Sequence, residues 1–127
     1  MQRVYDVRTA ALATGTTAKW VDNLLSHHQL PGVAQGRQGV QRQLSDIGLV
    51  AIELTRLLHE RAAIPVWKAA QLAVTCLAIE RDIAHITIGD DVTLVVDIAS
   101  VQRRLHHAVV AAMEATVRVR RGRPRRA

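Results

Sequence analysis

The ten C-terminal residues carry the side chains with the clearest chemistry in this chain. Residues 118–127 contain no acidic residue and six arginines, at Arg118, Arg120, Arg121, Arg123, Arg125 and Arg126. Guanidinium groups match phosphate geometry and keep their charge, so such a run is typical of segments that bind a polyanion. The formal net charge of the whole chain is +6, which equals the charge of this tail, so the remaining residues balance to zero. A neutral body with a basic tail indicates nucleic acid as the simplest partner.

A glycine and a proline interrupt the arginines of the tail. The segment Arg121-Gly122-Arg123-Pro124 resembles the AT-hook, a short element that lies in the minor groove of AT-rich DNA. Glycine allows the backbone to approach the groove, proline favours an extended strand, and arginine suits the negative potential of a narrow A-tract groove. The alternative interpretation is an unspecific arginine-rich tail that contacts RNA, DNA or a membrane surface.

Length and composition limit the class of protein. A chain of 127 residues fits one domain, or a small domain with an appended dimerisation element. With 49% hydrophobic residues, 2% aromatics and no phenylalanine, the core must consist of Ala, Leu, Val and Ile, which favours helices. There is no apolar run of membrane-spanning length, no signal-peptide pattern and only one cysteine, Cys76. We therefore expect a cytoplasmic, nucleoid-associated protein without a membrane partner.

The N-terminal third has the pattern of two short helices joined by a glycine turn. Asp6 is a plausible N-cap for a helix over 7–14, and Gly15 is a plausible stop. Thr16 or Thr17 then caps a second helix over 16–28. The spacing predicts a helix-turn-helix unit.

One face of the second helix is polar throughout. It carries Lys19, Asp22, Asn23 and Ser26, at positions i, i+3, i+4 and i+7. A cation and short polar groups are the types that reach base edges in the major groove, so we take these residues, with Thr17, as candidate DNA-binding residues. The alternative interpretation is an ordinary solvated face.

The next segment predicts a small hairpin over 33–44 with its tip at residues 36–39. Arg37 and Arg42 fall on this hairpin, where we expect them to contact phosphates. A third helix follows the N-cap Ser45, and a fourth runs from Val66 to about Arg81.

The order of these features from Tyr5 to Ala73 resembles the MerR-like DNA-binding domain. The resemblance rests on helix 7–14, Gly15, helix 18–28, Leu30-Pro31, the wing 33–44 and Ser45-Asp46-Ile47. It implies a winged helix-turn-helix that binds double-stranded DNA as a homodimer. The family's Leu-Arg-Tyr-Tyr segment reads Val21-Asp22-Asn23-Leu24 here, and Gly39 and Arg42 lie one residue further apart than in the family. Excisionase-type architectural proteins have similar domains.

The C-terminal third predicts a β-hairpin and a last helix. Residues 83–88 and 92–98 are rich in β-branched side chains and flank Gly89-Asp90-Asp91. Ser100 can cap a helix that reaches about Val117, with Met113 on its apolar stripe. By the resemblance, hairpin and helix form the dimerisation element. The alternative is that they cap a monomeric core.

Other constellations do not predict a site. Adjacent histidines such as His27-His28 and His106-His107 project about 100° apart on a helix and cannot readily chelate one ion. Cys76 lies between apolar neighbours, where a buried thiol is the simplest interpretation. We found no phosphate loop, carboxylate pair or nucleophile elbow. The expectation is no metal, no cofactor and no enzyme activity.

The sequence thus predicts a mainly α fold: a MerR-like winged helix-turn-helix over 1–82, a hairpin and helix over 83–117, and a disordered AT-hook-like tail over 118–127. The expected function is DNA binding, in a transcriptional regulator. Residues 46–117 have a net charge of −3 and residues 1–45 a net charge of +3, which leaves two alternatives. One is a protein–protein adaptor, antitoxin-like or an anti-regulator, whose acidic part meets a basic partner. The other is an excisionase-type or nucleoid-type architectural protein.

Overall fold

A computed structural model describes residues 3–36 and 41–121, with side chains up to Ala115 in the last helix. Within these residues the protein is mainly helical and has two antiparallel two-stranded ribbons. The elements in chain order are α1 (Val7–Thr14), α2 (Ala18–His27), β1 (Val33–Ala34), β2 (Gln43–Leu44), α3 (Asp46–Ala62), α4 (Val66–Ala78), β3 (Ile83–Ile88), β4 (Val92–Asp97) and α5 (Ile98–Arg121).

Side-chain caps set the ends of the first two helices. The Asp6 carboxylate accepts a hydrogen bond from the Thr9 N–H at 2.8 Å, and Gly15 ends α1 with a left-handed φ of 67°. Both predictions are confirmed. The Thr17 hydroxyl accepts from the Trp20 N–H at 3.0 Å, so Thr17, one of the two predicted caps, is the N-cap of α2, and the helix covers Ala18–His27 within the predicted range 16–28. Such caps satisfy backbone donors that have no partner within the helix.

The β1–β2 ribbon is fastened to the start of the chain and to α3. Val33 pairs with Leu44, and Tyr5 extends the pairing with two backbone hydrogen bonds to Leu44, of 2.7 and 2.8 Å. Before β1, Gly32 adopts a φ of +74°, and an added Cβ there would lie 2.3 Å from the Gly48 nitrogen. Only glycine allows this backbone of the ribbon to sit directly on the first turn of α3.

Helix α3 forms the centre of the core and packs against α4. Leu49, Ile52 and Leu54 on α3 are fully buried, as is Cys76 on α4. Burying a leucine or isoleucine side chain stabilises a fold by roughly 1.5–3 kcal/mol, so these positions hold the helices together. Helix α4 ends at Ala78, three residues before the predicted end at Arg81.

The predicted β-hairpin is present, with Ile83 opposite Asp97 and Ile88 opposite Val92. Its inner face buries Ala84 and Ile86, and α4 and α5 contact it mainly through β3. Strand β4 therefore forms the outer edge of the ribbon. A two-stranded ribbon is marginal in isolation, and this one gains its stability from the helices.

Helix α5 differs from the prediction at both ends. Asp97, not Ser100, provides the first cap, because the Asp97 carboxylate accepts from the Ser100 N–H at 3.0 Å. The helix backbone continues to Arg121, four residues beyond the predicted end at Val117, so the start of the predicted disordered tail is helical. No glycine or proline occurs between Ile98 and Arg121, so nothing in the sequence breaks the helix there.

The inner face of α5 packs along α1 and α3. Among its described side chains the buried ones are Ile98, Val101, Leu105, Val109 and Ala112, and the last four confirm most of the predicted stripe. Met113 was expected on the same stripe but is 40% exposed, and it lines an open cleft next to the β1–β2 ribbon. None of the helices in the described part of the chain is both long and apolar enough to cross a lipid bilayer.

Candidate nucleic-acid interface

The predicted polar face of α2 lies on the surface of the protein. Val21, Leu24 and Leu25 anchor the opposite face of the helix in the core. The exposed residues on the outer face are Lys19, Asp22, Asn23 and Ser26. Thr17 is also exposed, and its hydroxyl oxygen accepts a hydrogen bond from the Trp20 N–H in the first turn of the helix. The structure therefore brings together the five residues that the sequence placed on this element.

Arg42 reaches from the ribbon onto this face, where it binds two residues of α2, and it also binds Gln35 beside β1. Its Nη1 lies 2.7 Å from Oδ1 of Asp22, its Nη2 donates to Oγ of Ser26 at 2.9 Å, and its Nε donates to Oε1 of Gln35 at 2.8 Å. The Ser26 hydroxyl in turn donates to the Asp22 carbonyl at 2.7 Å. The ribbon and α2 are thus joined by one guanidinium group.

Arg42 was expected to contact phosphate, but in this structure its guanidinium joins the ribbon to α2. The Arg42 side chain is 24% exposed and that of Asp22 is 52% exposed. Guanidinium has five N–H donors, and the three bonds use one on each nitrogen. The remaining N–H of each terminal nitrogen is the part of Arg42 that could face a phosphate. The Arg42 guanidinium thus balances the negative charge of Asp22.

Gln35 completes the network and was missed by sequence reasoning. Its Nε2 donates to the Leu25 carbonyl at 3.0 Å, at the C-terminal end of α2, while its Oε1 accepts from Arg42. Extending the ladder beyond the Ala34–Gln43 pair would place Gln35 opposite Arg42. Hairpin register could therefore have identified Gln35, although its bond to α2 could not be read from the sequence.

Arg42 lines three open clefts, of which one lies at the C-terminal end of α2 and two lie on the side toward α1 and α5. Of the latter two, the first, of about 570 Å³, lies between α1, α2 and the ribbon, and Arg8, Ala18 and Asp22 line it. The second, of about 440 Å³, extends from the ribbon to Met113 on α5. Asp6, Gln41 and Arg42 line both clefts. The first cleft adds Arg8 to the basic side chains near α2, a residue that the sequence-based set of candidates lacks.

Asp6 places an acidic group among these cations. The backbone N–H of Thr9 donates to its carboxylate and lowers the pKa of Asp6, and the positive charge of Arg8 acts in the same direction. The carboxylate is therefore ionised at neutral pH. Because it caps α1, part of its charge is balanced by the positive end of that helix.

The remaining predicted site residues divide into two groups. The first group lies in the last turns of α5, where the backbone is described but the side chains are not, and consists of Arg118, Arg120 and Arg121. Arg37 of the wing tip and the tail residues Gly122, Arg123, Pro124, Arg125 and Arg126 lie outside the described residues.

Metal and thiol chemistry have little support in the described part of the chain. In residues 3–36 and 41–121, no group of three or more His, Cys, Asp or Glu side chains is arranged to hold a metal ion. Cys76 is buried, and burial raises the pKa of its thiol from 9.0 to about 11. A thiol that stays protonated at neutral pH is a poor nucleophile and a poor metal ligand. Cys76 therefore acts as a small core residue.

Comparison of the chain with protein-family models, with curated proteins and with solved structures finds no match.

Proposed function

We propose that the protein is a transcriptional regulator that binds double-stranded DNA through a winged helix-turn-helix. In this proposal α1 and α2 form the helix-turn-helix, the β1–β2 ribbon is the wing, and α2 enters the major groove. The single observation that supports it best is the exposed polar face of α2, held against the ribbon by Arg42. The MerR-like domain, which the sequence resembles, has the same order of elements.

Charge balance at the α2 face also favours DNA. An unpaired carboxylate at position 22 would repel the phosphate backbone, but the Arg42 guanidinium lies 2.7 Å from it. Lys19 and Asn23 are the exposed members of the face that the Arg42 network does not engage. Both types form hydrogen bonds with base edges, asparagine with adenine and lysine with guanine. We assign base contacts to these two residues.

The proposed role of the Arg-Gly-Arg-Pro tail is to bind the minor groove of adjacent AT-rich DNA. The six arginines of residues 118–127 would each release counterions on meeting phosphate, so binding through them depends steeply on salt. The proposal assigns sequence reading to α2 and most of the salt-dependent affinity to the tail.

We further propose a homodimer that forms through the β3–β4 hairpin. Val95 on β4 is 62% exposed, and Ile83 also projects from the outer face of the hairpin. Strand β4 is an edge strand without lysine or proline, the residues that usually protect such edges. Two copies that pair along β4 would form a continuous four-stranded sheet, in which Val95 lies next to the strand of the partner copy.

Selection of bound duplexes from random DNA, followed by gel shifts at two salt concentrations, tests the proposal. Lys19→Ala and Asn23→Ala should each weaken binding to the selected duplex by about 10-fold, as expected for the loss of one base contact. Arg61→Ala and Gln71→Ala, which change exposed residues on α3 and α4, are the matched controls. If binding is unchanged by both test substitutions but is lost on deletion of residues 118–127, the protein does not recognise a sequence through α2. It would then coat DNA unspecifically, as a nucleoid-type protein does.

A second candidate function is that of a protein-binding adaptor. It is favoured by Trp67, which is 57% exposed on α4, on the same helical face as the exposed Val74. Exposed tryptophans are enriched at protein interfaces. Trp67→Ala would leave DNA affinity unchanged under the first proposal. The adaptor would be supported if the chain showed no DNA binding at low salt but lost a protein partner on this substitution.

A further inference from the structure

Helix α5 runs from the hairpin toward the ribbon. Its first turn follows Asp97 of β4, and Leu105 and Val109 pack near the start of α3. Four residues beyond Val109, Met113 lines the same cleft as Thr9, Gln41 and Arg42. The C-terminal half of α5 therefore approaches the ribbon at the end of the body that carries the proposed DNA-binding face.

A continuous surface joins α2 to this part of α5. Asp22 and Arg42 line the cleft next to α2, Arg42 also lines the cleft next to Met113, and the two clefts meet at Gln41. Arg8 lies on the same surface, at the start of α1. Asp6, Gln41 and Arg42 line both clefts, so the two clefts are neighbours on this surface.

Among the α5 side chains that are described, up to Ala115, Ala112 is the last one that is buried. Beyond Met113 the helix continues for eight residues to Arg121, which is about 12 Å at 1.5 Å per residue. This extension carries one acidic residue, Glu114, and three arginines. The extension that carries these arginines thus begins beside the β1–β2 ribbon.

We propose that the extension of α5 over residues 114–121 is itself a DNA-binding element, which contacts phosphates next to the groove occupied by α2. The inference rests on the proposed function and makes it more specific. Helix α5 acts as an arm of fixed length and direction, so that Arg118, Arg120 and Arg121 meet the backbone on the ribbon side of the site. The tail then enters the minor groove beyond that point.

Insertion of two alanines tests this geometry, because the insertion lengthens a helix by about 3 Å and rotates the residues after it by about 200°. Inserted after Ala115, outside the packed part of α5, the pair moves the three arginines and leaves the core unchanged. Inserted after Pro124, it leaves them in place and serves as the matched control. We expect the first insertion to weaken binding to the selected duplex at least 10-fold and the control to change it less than 2-fold.

A tethered-cleavage experiment locates the contact. Thr116→Cys in the full chain, labelled with an iron chelate, should cut the duplex on the side of the site next to the ribbon. The buried Cys76 thiol, with its raised pKa, provides an unlabelled background. Equal affinity of the two insertion variants, or cleavage spread evenly along the duplex, would overturn the role of α5 while leaving DNA binding by α2 intact. Absence of DNA binding by the unmodified chain would overturn both proposals.

Discussion

Arg42 and Asp22, twenty residues apart in the chain, form an ion pair with Nη1 and Oδ1 separated by 2.7 Å. The pair joins the β1–β2 ribbon to α2 on the surface of the protein. Exposed ion pairs contribute only about 0–1 kcal/mol to stability. Its main effect is therefore to fix the angle between ribbon and helix and to balance a carboxylate on the proposed DNA-binding face.

Substitution of Asp22 by asparagine should increase DNA affinity and its dependence on salt. The change removes a negative charge and frees the Arg42 guanidinium for phosphate, so the slope of log K against log salt should steepen by about one unit. Fluorescence anisotropy of a labelled duplex over a salt series measures this slope. Asp90→Asn, in the exposed turn of the β3–β4 hairpin, is the matched control. A slope that is the same in Asp22→Asn and the control would mean that Arg42 does not face DNA.

Gly32→Ala should destabilise the protein far more than Gly89→Ala. Both glycines have left-handed φ values, 74° and 66°, but an added Cβ meets the Gly48 nitrogen at 2.3 Å in the first case and nothing within 4 Å in the second. The left-handed conformation alone costs an alanine about 1–2 kcal/mol, and the clash adds to this at Gly32. Urea unfolding of the two variants gives the comparison, and equal losses would contradict the close contact between ribbon and α3.

Val95→Lys should convert the proposed dimer to a monomer. Val95 is 62% exposed, so the substitution does not disturb the core, but in a dimer joined along β4 it would place charged groups within the interface. Sedimentation velocity at several protein concentrations measures the change. Thr75→Lys, on the exposed surface of α4, is the control. A chain that is monomeric before substitution would exclude this dimer.

Cys76 should make stability fall at alkaline pH. Because burial raises the pKa of its thiol from 9.0 to about 11, the folded state binds more protons than the unfolded state between these values. The thiol's contribution is complete below about pH 9 and is lost as the pH rises toward 11. Urea unfolding of the wild type and Cys76→Ala between pH 8 and 11 tests this. The wild type should lose stability relative to the variant, and parallel curves would contradict the shift.

Local signals in the sequence predicted most of the elements. Asp6 and Gly15 bound α1, and Gly89 marks the turn between two β-branched segments, because caps and turns depend on residues close in the chain. At the start of α5 the sequence predicted Ser100 as the cap, but Asp97 provides it because Asp97 ends the strand directly before the helix.

The candidate site was only partly predictable. Periodicity identified the exposed face of α2. The bonds from Arg42 to Asp22 and Ser26 depend on how the ribbon folds over the helix, which no local pattern encodes. Gln35 and Arg8 were missed for the same reason, since their relation to the site arises from tertiary packing.

The position of the β3–β4 hairpin at one end of α5, with the ribbon near the other, has a consequence for the target. From Ile98 to Met113 the helix axis rises about 22 Å. In the proposed dimer, two subunits linked at their hairpins would hold their two α2 faces well apart, separated by the lengths of both α5 helices. An operator for such a pair would consist of inverted repeats with a long spacer between them, more than one turn of the duplex.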